Sequence, residues 1–211
     1  MRYTPDYLLK DPNEVKRLIR EYPWATIVSS TAKGLVASHY PIVLEESTSG
    51  TDGAGDDSIS IVSHVGRPDE RAHELGEHEV LVIVQGPHGY VSPGWYGDGS
   101  YVPTWNHITA HLYGTPEILG DDENFGVLAD LVDYFEQRLP DPVSIRPHEE
   151  AARRVATGTV GIRIRITRFD ARAKMSQGKS PEVVRNIVGA LETDGPYASQ
   201  ALADEMRRIH D

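Results

Sequence analysis

The stretch ATIVSSTAKGLVASHYPIVLEE, residues 25–46, holds two runs of β-branched and apolar residues joined by the turn-like TAKG of residues 31–34. Two extended segments this close can pair only as an antiparallel hairpin, because a parallel pairing needs a crossover of about a dozen residues or more. After the Gly/Ser/Asp-rich ESTSGTDGAGDD (46–57), read as a hairpin loop, SISIVSH (58–64) continues the meander. EVLVIVQG (79–86) reads as a continuous apolar strand, and PHGYVSPGWYGDGSYVP (87–103) as a Gly/Pro-punctuated loop. TWNHITAHLYGTPEIL (104–119) reads as one long strand, and VGIRIRITRFD (160–170) as the last, alternating Ile162, Ile164 and Ile166 with Arg163 and Arg165.

Helices frame these strands. Asp11 is placed to cap, Pro12 suits the first helical position, Glu14 completes a capping box, and Val15, Leu18 and Ile19 share one face, with a stop before Pro23. Asp121 is placed to cap a second helix, whose Phe125, Leu128, Val132, Phe135 and Leu139 form a core stripe at helical spacing. Two more begin near Pro181 and Ala198. The fold class is mainly β with helices (α+β): an antiparallel barrel with helical decoration, since the early gaps are too short for the helices of a doubly wound sheet. The barrel is expected over residues 1–170, with 171–211 as a helical segment packed on the same domain.

Composition narrows the chemistry. With 39% hydrophobic and 25% charged residues among 211, the chain is globular in type. A net charge of -11 opposes a main role in gripping phosphate backbones, so DNA is expected to be contacted weakly or indirectly. No cysteine is present, which removes disulfides, thiolate metal sites and thiol catalysis together. MRYTPDYLLKD at the start has no apolar core of a signal peptide, and no run reaches the ~18 apolar residues of a membrane span. A soluble cytoplasmic protein without a membrane partner is expected.

Short motifs mostly fail on spacing. GKS at 178–180 lies between a strand and a helix like a phosphate loop, yet Ala173 stands where the first glycine belongs. HELGEH (73–78) sets its histidines one residue too far apart for a zinc-protease helix and reads as a surface helix end; no metal is assigned. His107 and His111 share a strand face without an acidic partner nearby, and no Gly-x-Ser-x-Gly elbow exists.

A dispersed set remains: SHYP (38–41), SHVGR (63–67), TWNH (104–107) and AKMSQGK (173–179), each at a strand boundary. Arg67 and Lys174 supply phosphate donors, Ser63, Asn106 and Gln177 hydroxyl or amide partners, and Trp105 a flat wall. That set suits a ligand with a phosphate tail and an aromatic head; the plainer alternative buries Trp105 in the core and leaves both cations in solvent.

VLVIVQGPHGYVSPGWY, VPTWNHITAHLYG and KMSQGK, in this order and spacing, resemble the PaiB-type FMN-binding transcriptional regulators, as do MRYTPDYLLKD and SHYPIVL. The resemblance spans nearly the whole chain. It implies the FMN-binding split barrel, shared with pyridoxamine phosphate oxidases and flavin reductases, as a homodimer with flavin at the subunit interface. It further implies that Ser38, His39, Tyr40 and Pro41 flank the flavin ring, and that Ser63, His64 and Arg67 lie on the phosphate side. Trp105 and Asn106 would touch the ring, and Lys174 and Gln177 would reach the flavin late in the chain, from the partner subunit. One departure is PDERAHEL (68–75), shorter than the family's Asn-Pro-Gln-Trp-Arg segment and without its tryptophan, which leaves Arg71 without an assigned contact. The implied function is negative transcriptional regulation by a flavin-binding dimer; a flavin reductase or oxidase is the enzymatic alternative, with no catalytic residue assigned, and a haem-degrading split barrel a weaker third. Ile108, Ala110 and Leu112 are expected to face the core.

Overall fold

The computed structural model describes residues 4–45, 57–97, 99 and 102–210, so positions 46–56 of the expected hairpin loop lie outside the described residues. In chain order the strands are β1 (Leu8–Leu9), β2 (Trp24–Thr31), β3 (Gly34–Leu44), β4 (Ser60–Gly66), β5 (Val80–Val91), β6 (Thr104–Gly114), β7 (Pro116–Ile118), β8 (Thr159–Arg165) and β9 (Arg168–Lys174). The helices are α1 (Pro12–Glu21), α2 (Arg67–Ala72), α3 (Asp121–Glu136), α4 (Glu149–Ala156), α5 (Pro181–Glu192) and α6 (Gln200–His210). None of them is long and apolar enough to cross a membrane. The class is α+β with antiparallel ladders, as the hairpin spacing requires.

The chain forms two compact units. The larger comprises Asp11–Val84 and His111–Phe169. Its strands run in the order β5-β2-β3-β4-β8-β7. The hairpin at residues 25–44 sets the register: Trp24 lies opposite Pro41 and Thr31 opposite Gly34, whose φ of +110° gives the turn a backbone that only glycine adopts without strain. Asp11 caps α1 by accepting from the Asn13 backbone N–H at 2.9 Å, and Val15, Leu18 and Ile19 are each 0% exposed. A second cluster packs Val127 and Leu131 of α3 on Val43, Val62 and Leu119, with Tyr134 and Phe135 against it.

The other unit, here the C-terminal unit, comprises Met1–Lys10, Gln85–Ala110 and Asp170–Asp211. Its strand order is β1-β9-β6-β5, with Leu8 opposite Arg172. Buried Leu202, Ala203 and Met206 of α6 supply its core together with Val183, Val184, Ile187, Val188 and Leu191 of α5. A Cβ on Gly89 would come within 2.9 Å of Leu202, so this glycine in β5 admits α6 closely.

Several elements differ from the sequence reading. β5 continues through Pro87 to Val91 instead of ending at Gly86. The long strand ends at Gly114, where a Cβ would sit 2.4 Å from the Arg165 carbonyl oxygen, and Pro116 opens a separate short strand. VGIRIRITRFD divides into β8 and β9, because the Ile166 and Thr167 amides turn away to Ile59 and Tyr113 carbonyls. Lys174 therefore ends a strand, not a following loop. The N-cap of α3 is Gly120, its buried face runs through Val127 and Leu131, and Leu139 lies beyond its end, 53% exposed.

Candidate functional site

In the C-terminal unit the strand alternation of β6 separates two neighbours that the sequence had grouped. Trp105 is 57% exposed, while Asn106 is 0% exposed and shares its face with Ile108 and Ala110, both buried as expected, as Leu112 is. The Asn106 amide donates to Ser176 Oγ at 2.9 Å and lies 3.4 Å from Met206 Sδ; the Ser176 hydroxyl donates back to Asn106 Oδ1 at 3.2 Å. Ser176 holds a left-handed φ of +65°. Gln177 also turns inward, accepting from the Met175 amide at 2.8 Å and donating to the Ala173 carbonyl at 2.5 Å. Asn106 and Gln177 thus shape the turn that follows Lys174.

Lys174 itself donates to Thr104 Oγ1 and, at 3.1 Å, to the Trp105 carbonyl. Both partners are neutral, and among the described residues it has no carboxylate. Burial pushes its ammonium pKa below the ordinary lysine value. Arg172, buried and 3.5 Å from Asp170, precedes it by two residues on the same strand. Burial first, then the charges of Lys174, Arg172 and His88, lower the His107 pKa, so a neutral imidazole lies beside the two cations of β9. Beside it the Tyr90 ring meets Trp105 edge-on at 6.3 Å and Tyr197 at 5.0 Å.

In the larger unit most of the expected site residues have internal partners. Ser63 is buried and donates to the Pro41 carbonyl at 2.7 Å. Tyr40 donates to Asp69 at 2.7 Å and accepts from the Gly66 amide at 3.1 Å; Ser38 also reaches Asp69. His64 meets Thr159 Oγ1 at 2.7 Å, and burial lowers its pKa. Arg67 donates from Nε to the Thr157 carbonyl at 2.8 Å and lies 3.6 Å from Glu70. His39 stays exposed, paired with Thr26 at 3.0 Å and stacked near Trp24. HELGEH is no surface helix end: His73 is 2% exposed, and its Nδ1 lies 2.8 Å from Ser29 Oγ.

His88 escaped the sequence reading because its segment was assigned to a loop, and Arg172 because the last strand was ended at Asp170. The signal was present: in ARAK (171–174) small and cationic residues alternate with the period of a strand.

A flavin mononucleotide asks for a cation at its phosphate and a flat surface at its ring. The donor set fits: Lys174 is a desolvated cation with only neutral acceptors, and exposed Trp105 adjoins it.

Comparison with known proteins bears on the fold and the cofactor. Residues 1–168 match the family described as "Putative FMN-binding domain". The chain is 29% identical over 205 residues to the protease synthase and sporulation protein PAI 2 of Bacillus subtilis (strain 168), covering 94% of this chain and 93% of that one. Two solved structures share its fold at low identity. The flavocytochrome Anf3 from Azotobacter vinelandii has a TM-score of 0.57 at 14% identity, covering 80% of this chain and 69% of its own. The FAD and heme binding protein from Mycobacterium smegmatis has a TM-score of 0.57 at 19%, covering 90% and 82%. The fold is that of the flavin-binding split barrels. With a match across residues 1–168, the chain belongs to the family described as "Putative FMN-binding domain", and its cofactor is FMN.

Proposed function

We propose that the protein is a cytoplasmic negative regulator of transcription that works as an FMN-binding homodimer, with Lys174 receiving the phosphate and Trp105 bordering the ring. One observation carries the reading: Lys174 is partly buried, cationic and without a carboxylate among the described residues, so an anionic ligand supplies the missing charge. When bound, FMN contributes one- or two-electron chemistry. The chain's own part is to orient and exclude water: Asn106 and Gln177 hold the turn after Lys174, and Tyr90 braces Trp105. The relative's name, tied to protease synthesis and sporulation, supports a regulatory output. With a net charge of -11, control through the state of the dimer is favoured over a direct grip on DNA.

A homodimer is supported by one sheet face of the larger unit. By register Val28 stands opposite both Ala37 and Leu81, Thr26 opposite Ile83, and Trp24 opposite Pro41. Trp24 is 64% and Leu35 80% exposed at its ends. Thr26, Ser30 and His39 share this face, and its exposed apolar ends suit a second copy of the chain.

The test titrates FMN and riboflavin into wild type and Lys174→Met. A charge-assisted bond of about 1.5–3 kcal/mol corresponds to a roughly 10- to 150-fold loss for FMN. Riboflavin should be little affected; equal losses for both ligands would move the phosphate elsewhere. For the regulatory output, cells lacking the gene should show derepressed transcripts that wild type restores and Lys174→Met does not.

A flavin reductase or oxidase is the second reading. His107 favours it, because burial and neighbouring cations keep its imidazole neutral beside Trp105, where it can accept one proton. FMN-dependent consumption of a nicotinamide donor separates the two readings.

A further inference from the structure

We infer that the C-terminal unit carries a second small-molecule site, a groove that takes an organic ammonium ion. The groove, of about 480 Å³, lies beside the short 3-10 turn Pro93–Trp95 and the loop from α5 to α6. That volume falls within the roughly 300–1,000 Å³ of small-molecule pockets. Trp95 and Tyr197 supply aromatic walls, Pro196 and Ala190 apolar surface, and Asp194 a carboxylate.

Three features give the groove one sign. Asp194 has no hydrogen bond or ion pair among the described residues, whereas Glu192, two positions earlier, is taken by Arg207 and by Gln200 at 3.3 Å. The α5 helix brings its negative end to this loop, where the cation at hand, Arg207 of α6, is already engaged by Glu192 and Asp204. Two aromatic rings, Trp95 and Tyr197, line the groove, and such rings attract cations. Carboxylate, dipole and ring faces all repel a phosphate, so this groove is chemically opposite to the cluster around Lys174 and is no part of an FMN site. A neutral ligand would leave Asp194 unanswered. An ammonium ion with an apolar body answers it and covers the rings.

Tyr197 contacts the Tyr90 ring, which contacts Trp105. An occupant of the groove therefore bears on the wall of the proposed flavin site through two ring contacts, the arrangement expected of an effector.

Calorimetric titration of the full-length protein with choline, and with its uncharged isostere 3,3-dimethylbutan-1-ol, decides the matter. Choline should bind about tenfold more tightly than the isostere, and Asp194→Asn should abolish that difference. Tyr197→Leu should weaken choline roughly 2- to 30-fold, while Tyr197→Phe retains most of the affinity. Asp194→Asn alters an exposed side chain and should leave circular dichroism and FMN affinity unchanged, so loss of choline binding cannot be ascribed to misfolding or to a failed flavin site. Equal binding of choline and its isostere, an unchanged choline affinity in Asp194→Asn, or no saturation by choline up to about 50 mM, more than a hundredfold weaker than ordinary small-ligand binding, would overturn the proposal.

Discussion

Ser176 adopts a left-handed backbone without being glycine, at a cost of about 1–2 kcal/mol, and its hydroxyl is held by Asn106. Asn106→Ala removes both bonds in a buried setting and should destabilise the protein by about 1–3 kcal/mol in urea unfolding. It should also weaken FMN, because the turn after Lys174 loosens. Ser176→Gly relieves the backbone yet loses the same bonds, so its effect should be smaller. His73 is a second buried polar group with a pH signature. Its Nε2 has no partner among the described residues, and burial lowers its pKa, with nearby Asp69 opposing and His78 assisting. A histidine whose folded pKa lies below its unfolded ~6.5 adds stability that is complete above pH ~6.5 and is lost as pH falls toward the folded value. The melting temperature should therefore drop between about pH 7 and pH 5, and His73→Gln should blunt that drop. Neither network was legible in the sequence. Asn106 meets Ser176, and His73 meets Ser29, only after distant segments pack, and nothing in the local pattern marks such pairs.

At the scale of elements, the hairpin over residues 24–44 was readable because turn length and alternation act locally, and the same alternation places Ile108, Ala110 and Leu112 inside. Strand ends were less readable. β6 stops where Gly114 passes the Arg165 carbonyl, a contact made across the fold. Gly114→Ala drives a Cβ to within 2.4 Å of that oxygen and 2.7 Å of Ile164, so backbone must move. A loss of about 1–3 kcal/mol is expected in chemical unfolding, with no local effect on riboflavin binding. Arg163 of β8 plays a different part, gathering Glu45 at 2.6 Å, Glu123 at 3.2 Å and Glu117 at 3.3 Å from three other segments. Those carboxylates hold its guanidinium charged against the cost of burial. Arg163→Met leaves three acids facing one another and should cost about 2 kcal/mol at low salt, and less at high salt, where screening eases their repulsion.

For the whole molecule, the open sheet face bounded by Trp24 and Leu35 gives assembly a test. Leu35→Glu places charge on that face without touching a buried residue. It should shift sedimentation toward the monomer while leaving the melting transition of the separated chains near that of wild type. FMN binding measured on that variant shows whether a partner copy contributes to the site. The family was legible because its motifs are spread over most of the chain. The geometry of the expected site residues was less legible, because Trp105 and Asn106 adjoin in sequence yet alternate across a strand, and partners such as Pro41 for Ser63 and Asp69 for Tyr40 arise only on folding.

The pairing of Leu8 with Arg172 bears on how the protein is made. A ribosome delivers the first of these strands long before the other, and at about 5–20 residues per second the wait is roughly ten to thirty seconds. Throughout that time β1 has no ladder, and the C-terminal unit, built from three separated segments, lacks the stretch that supplies β9, α5 and α6. Hydrophobic faces of β5 and β6 stand uncovered on the nascent chain meanwhile. Translation that halts just after Phe169 would release a chain able to complete the larger unit's segments but not the other's, leaving an obvious client for chaperones and proteases.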